Sequence, residues 1–131
     1  MAASIPEEHR RGRYLLSQRL GVGDVAEVYL AQLEGEGGFR RDIVLKCLRP
    51  EIGREPERVR LFLEEANLVA QLRHPNIVQA LDLSRDGADY FMALELVDGP
   101  SLANLIGYTR GVGTRIPVEM GAHVIAEAAR G

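Results

Sequence analysis

Lysine is almost missing from this chain, which carries one, Lys46, against fifteen arginines in 131 residues. An ammonium is a compact point charge and a guanidinium a wide planar fork, so the exception marks a position where the two do not exchange freely. Cysteine is as scarce. Cys47 alone excludes an internal disulfide and fits a reducing, cytoplasmic setting. No apolar run approaches the roughly 20 residues of a membrane span, and MAASIPEEHRR has no signal-peptide core, so no membrane segment is expected. An excess of one charge is also lacking: a net charge of −3 with scattered arginines offers little to nucleic acid or anionic lipid. His9, His74 and His123 have no partners at metal-ligand spacing, so no metal site is expected. What remains, 46% hydrophobic and 27% charged residues, describes an ordinary single globular domain.

Along the chain, residues 1–12 are polar and aperiodic and read as a mobile tail. Tyr14, Leu16, Gln18 and Leu20 alternate as a half-buried strand does, Gly21 and Gly23 break the pattern, and Ala26, Val28 and Leu30 resume it. The glycines therefore lie in a hairpin. Glu34–Phe39 is a further turn, and Asp42–Leu48 a third strand. Pro56 is suited to the first turn of a helix that runs to about Arg73, where His74 and Pro75 stop it. Two more strands, Ile77–Leu83 and Tyr90–Val97, flank the turn SRDGAD. A short helix over Ser101–Ile106 follows, then a Gly-rich loop and a last helix from Pro117. In that last helix Val118, Ala122, Ile125, Ala126 and Ala129 form an apolar stripe.

Gly21, Gly23 and Ala26 form a G-x-G-x-x-A turn, in which a backbone without side chains can approach phosphate oxygens and offer them N–H groups. A Rossmann turn would lead from strand into helix, yet Glu27–Leu33 reads as strand. A P-loop would close on Gly-Lys-Ser/Thr, and none is present. Among these nucleotide folds, glycines between two antiparallel strands suit only the kinase-type loop; the other reading is two glycines that simply serve a hairpin. Of the adjacent carboxylates Glu64 and Glu65, helical spacing sets Glu64 beside Arg60, Asn67 and Gln71. It sets Glu65 beside Leu61, Phe62, Leu68 and Val69. A carboxylate among aliphatic side chains is costly unless a cation meets it, and Lys46 is the obvious one. Cys47 points to the other face of the same strand and reads as a core thiol.

Four stretches carry a resemblance to a known family: LGVGDVAEVYLA, DIVLKCLRPE, FLEEANLVAQLRHPNIVQ and YFMALELVDGPSL. In that order they resemble the N-terminal lobe of the protein kinases, most like the bacterial members of the eukaryotic-like Ser/Thr group. The resemblance implies an α+β fold with a five-stranded antiparallel sheet, one major helix, and the first helices of an incomplete C-lobe. Residues 13–98 would form the ATP-binding lobe, and 99–131 the hinge exit and the start of a truncated C-lobe. It implies a loop of Leu20, Gly21, Val22, Gly23, Asp24, Val25, Ala26, Glu27 and Val28 over the phosphates. Lys46 would contact the α- and β-phosphates and pair with Glu65 as the catalytic ion pair. Leu94 would stand at the gatekeeper position, Glu95 and Val97 would meet adenine through their backbone, and Ser101 would lie near the ribose. Leu20, Val28 and Val44 would form apolar walls. The implied function is transfer of the ATP γ-phosphoryl group to protein Ser or Thr.

Three departures qualify the match. Ala26 stands at the third loop glycine, and Val44 where the family usually has alanine. No H-R-D-x-x-x-x-N and no D-F-G occurs in the 131 residues, so the base and the Mg²⁺ ligands of a full-length form are expected elsewhere. The alternative is a non-catalytic nucleotide-binding or regulatory kinase-like module.

Overall fold

The computed structural model describes residues 9–131. It holds two compact units: residues up to Arg73 with Gln79–Leu96, and His74–Val78 with Val97–Gly131. The first unit is built on β1 (Arg10–Arg11), β2 (Tyr14–Val22), β3 (Ala26–Glu34), β4 (Arg40–Leu48), β5 (Ala80–Asp86) and β6 (Asp89–Glu95), with α1 (Pro56–Gln71). The strands form one antiparallel sheet in the order β1-β2-β3-β4-β6-β5. A six-stranded curled sheet thus stands where five strands were expected. The extra strand is the two-residue β1, whose Arg10 and Arg11 pair with Leu15 and Tyr14. Backbone pairing needs no apolar alternation, so this part of the expected tail gave no pattern to read. Residues 1–8 of that tail lie outside the described residues.

Other boundaries shift for similar reasons. β2 continues through Gly21, which pairs with Val28, so the turn begins only at Gly23. β5 starts at Ala80 instead of Ile77 and runs on to Asp86. The β5–β6 loop is only Gly87 and Ala88, and Gly87 takes the φ of +61° that such a tight hairpin requires. β6 ends at Glu95, leaving Val97 outside it. α1 begins on Pro56 with Glu57 in its first turn, both favourable at a helix N-terminus.

Side-chain alternation gives the sheet two different faces. On one, Tyr14, Leu16, Ala31, Ile43, Leu45, Phe91 and Ala93 are buried together, and Tyr14 meets Phe91 edge to face with centroids 5.8 Å apart. The curl brings β2 to β5, where the Tyr14 hydroxyl donates to Asp82 at 2.6 Å. The same carboxylate accepts from Ser84 at 2.6 Å and from Arg13 at 3.4 Å. On the other face Ala26, Leu48 and Met92 pack with Ile52 and with Phe62 and Ala66 of α1.

The second unit contains α2 (Leu102–Gly111) and α3 (Val118–Arg130). Ser101 caps α2 by accepting from the Asn104 N–H at 3.1 Å, and the helix runs five residues past the expected end at Ile106. His74–Val78, expected within the first lobe, belongs here. The Asn76 amide donates to the Glu127 backbone at 2.8 Å and to its carboxylate at 2.9 Å. On α3, Val118 and Ile125 of the apolar stripe are 83% and 69% exposed.

Candidate nucleotide site

β4 sets the geometry. Val44, Lys46 and Leu48 alternate toward α1, while Ile43, Leu45 and Cys47 point to the sealed core. Lys46 lies between Val28 of β3 and Met92 of β6 in the register. Its Nζ reaches Glu65 Oε1 of α1 at 2.6 Å. The neighbouring Glu64 is held elsewhere, by Arg60, which also bridges to Glu57. The helical phase read from spacing therefore holds: one carboxylate faces solvent with an arginine, and the other faces the sheet with the lysine.

The lysine side chain is 25% exposed and the glutamate 52%. Of the two environments open to the pair, burial or a solvated cleft, it occupies the second. Such a pair contributes only about 0–1 kcal/mol to stability. Gly23, Asp24, Val25, Ala26, Val28, Lys46 and Glu65 surround a cleft of about 470 Å³ with Arg58, Leu61 and Phe62. The last three were not foreseen. Phe62 and Leu61 adjoin Glu65 by helical spacing, but only the approach of α1 to the sheet turns them into a wall.

The turn itself is held in several places. The Gly23 N–H donates to the Ala26 carbonyl at 2.8 Å, and the Arg49 N–H donates to the Val25 carbonyl at 2.9 Å. The Arg49 guanidinium donates to the Gly23 carbonyl at 3.2 Å. Neither Gly21 nor Gly23 has positive φ. A Cβ at Gly21 would meet nothing within 4 Å, and one at Gly23 only the Ala26 carbonyl at 3.4 Å. The fold alone therefore does not demand glycine at Gly21.

The remaining site candidates are spread more widely. Leu20 and Val22 are half exposed near the end of β2. Glu27 binds the Tyr29 hydroxyl, and that bond together with burial raises the Tyr29 pKa to about 12. Val44 pairs with Leu94 across β4 and β6. The Glu95 carboxylate accepts from the Gln79 N–H at 2.8 Å, and the Glu95 N–H donates to the Gln79 carbonyl at 3.0 Å. Val97 and Ser101 fall in the second unit, where Ser101 serves as the cap of α2. Cys47 sits away from the cleft, and burial pushes its thiol up to about 12. Among the described residues no group of three His, Cys, Asp or Glu is arranged to hold a cation, and no helix is long and apolar enough to cross a membrane.

Comparison with known proteins identifies the family. The sequence pattern of the protein tyrosine and serine/threonine kinase family matches residues 15–131. The chain is 33% identical over 130 residues to the tyrosine-protein kinase MasK of Myxococcus xanthus, covering 99% of this chain and 20% of that protein. It is 35% identical over 95 residues to the serine/threonine-protein kinase PrkC of Bacillus subtilis, covering 72% and 14%. For PknB of Mycolicibacterium smegmatis the identity is 31% over 125 residues, covering 92% and 19%. The chain thus spans a fifth or less of these relatives. The crystal structure of the Mycobacterium tuberculosis PknI kinase domain superposes with a TM-score of 0.68 at 25% identity, covering 92% of this chain and 46% of that one. With a kinase-like fold, a family pattern over most of its length and bacterial kinases as relatives, this chain belongs to the protein kinase family.

Proposed function

We propose that the cleft beneath the Gly23–Ala26 turn is the phosphate side of an ATP site, and that the chain is the ATP-binding part of a protein Ser/Thr kinase. The observation that carries this is the Lys46–Glu65 contact of 2.6 Å at the cleft wall. A half-solvated ion pair adds little to the fold, yet it fixes the chain's one ammonium where a nucleotide phosphate could be met. Glycine at Gly21, free of steric demand from the protein itself, supports a partner lying over the turn from outside.

ATP fits the residues present. The cleft offers a cation, a backbone without bulky side chains, and apolar surface from Val28 and Phe62. Lys46 would hold the α- and β-phosphates, Glu65 would orient Lys46, and the turn from Gly21 to Ala26 would cover them. Val44 and Leu94 would line the adenine side with Leu20 and Val28, and the Glu95 backbone lies at the end of the same strand as Leu94. When bound, ATP supplies the γ-phosphoryl group for transfer to a protein hydroxyl. Mg²⁺ belongs to that chemistry in the family, but no donor set for it occurs among the described residues. Ser or Thr as acceptor follows the names of PrkC and PknB, and MasK carries a tyrosine-kinase name.

The single lysine makes a clean test. An acyl-phosphate derivative of ATP transfers its acyl group to an amine held at the phosphates: the lysine nitrogen attacks the acyl carbon, the carbon–oxygen bond to phosphate breaks, and ATP leaves. Peptide mapping should find the label on Lys46, and excess ATP should suppress it. Labelling that ATP does not reduce would sink the assignment. Lys46→Ala should lower ATP affinity at least about tenfold by loss of charge-assisted contacts, with the fold retained.

A further inference from the structure

Resting on the nucleotide-site reading, we infer that Arg49 is a positioning residue that clamps the glycine turn over the phosphates, with Glu51 holding its guanidinium in place. Arg49 stands just beyond the end of β4, three residues after Lys46, and reaches back to the turn by two routes. Its backbone N–H donates to the Val25 carbonyl at 2.9 Å. Its guanidinium donates to the Gly23 carbonyl at 3.2 Å, across 26 positions of sequence. The Glu51 carboxylate accepts from Nε at 2.9 Å and from Nη2 at 2.5 Å, leaving Nη1 for the turn.

The two contacts act on the two carbonyls nearest the tip. Gly23 and Val25 flank Asp24, and the Gly23 N–H is already bound to the Ala26 carbonyl. The pairing of β2 with β3 ends at Val22 and Glu27, so the tip has no further ladder to hold it. A charged donor on an otherwise free carbonyl makes a stronger bond than a neutral one. The planar fork suits a residue that must grip a carboxylate and a carbonyl at once. An ammonium offers no such fixed pair of edges. Arg49 thus extends the rigidity of β4 to the turn and ties the position of the turn to the strand that carries Lys46.

The test compares the 131-residue chain with Arg49→Ala, Arg49→Lys and Glu51→Gln, each first checked for a cooperative melt. Three quantities are read: amide hydrogen exchange over residues 21–26 without nucleotide, half-saturation of Lys46 labelling by the ATP acyl phosphate, and Lys46 acylation by a reagent lacking nucleotide. In Arg49→Ala, exchange at the tip and the half-saturating concentration should each rise about five- to tenfold, the size expected for one lost charge-assisted bond near solvent. Reaction with the nucleotide-free reagent should stay unchanged. Arg49→Lys should recover part of both effects and Glu51→Gln should lose less than Arg49→Ala. Unaltered exchange in Arg49→Ala overturns the clamp. Faster exchange with unchanged half-saturation overturns the positioning role. If the parent chain shows no labelling that ATP suppresses, the nucleotide reading and the positioning role fall together, while the exchange result still decides whether Arg49 holds the turn.

Discussion

The two faces of one sheet have opposite characters, and β4 shows the contrast residue by residue. Ile43 and Leu45 are fully buried in the sealed face. Lys46, between Leu45 and Cys47, opens on a cleft and is a quarter exposed. One face closes on itself through Tyr14, Phe91 and the Tyr14–Asp82 bond. The other is bridged by a helix that leaves room beside it. A strand with period 2 can thus hold the fold with alternate residues and present chemistry with those between them. Stability and binding should therefore respond to different, adjacent positions.

The largest effect should come from the sealed face. Leu45→Ala removes a fully buried side chain and should cost about 2–5 kcal/mol in denaturant unfolding. A cost near that of a surface change would mean the sealed face is not the main core.

Next comes the latch that closes it. Burial alone would push the Asp82 carboxyl up, but hydrogen bonds from Ser84 and Tyr14 and the charge of Arg13 outweigh it and hold it below the usual carboxylate range. A carboxylate with lowered folded pKa contributes stability above its unfolded value of roughly 3.9, and loses it as pH falls through the lower folded value. Asp82→Asn should cost about 1–3 kcal/mol at neutral pH and flatten acid unfolding below pH about 4. An unaltered acid limb would show that the latch adds nothing.

On the cleft face the effects on stability should be small and those on binding large. Glu65→Gln should change stability by no more than about 1 kcal/mol while weakening nucleotide labelling of Lys46 more than Glu64→Gln does. If Glu64→Gln weakened it more, the contrast between the two carboxylates would be reversed.

The smallest effect lies at Cys47. Burial is the main cause raising its thiol to about 12, so the neutral form is favoured in the fold. Stability from this group is complete below its ordinary value near 9 and is lost as pH rises toward 12. Cys47→Ala should make the melting temperature less sensitive to pH between about 9 and 10.5. An equal slope in both proteins would mean the thiol titrates as though exposed.

Much of the geometry around the candidate cleft could be read from the chain because its signals are local. Glycines between alternating strands, a lone lysine on the third strand, and a glutamate on the apolar side of a helix each depend on neighbours a few positions away. Arg58 and Leu61 left no such mark: both are exposed helix residues whose part in the cleft depends on how α1 approaches the sheet. The fold limits were less legible where backbone pairing continues without alternation. β1 and the extension of β2 through Gly21 are examples.

By itself the sequence determined the order of strands and helices, the phase that turns Glu65 toward Lys46, and the opposite directions of Lys46 and Cys47. Periods of 2 and 3.6 are properties of short stretches of backbone. Only the tertiary structure decided that Tyr14 meets Asp82 across 68 positions, that Arg49 reaches the Gly23 carbonyl, and that His74–Val78 packs with α3 through Asn76 and Glu127. These contacts join residues distant in the chain, so they depend on sheet curl and register, which no local pattern specifies.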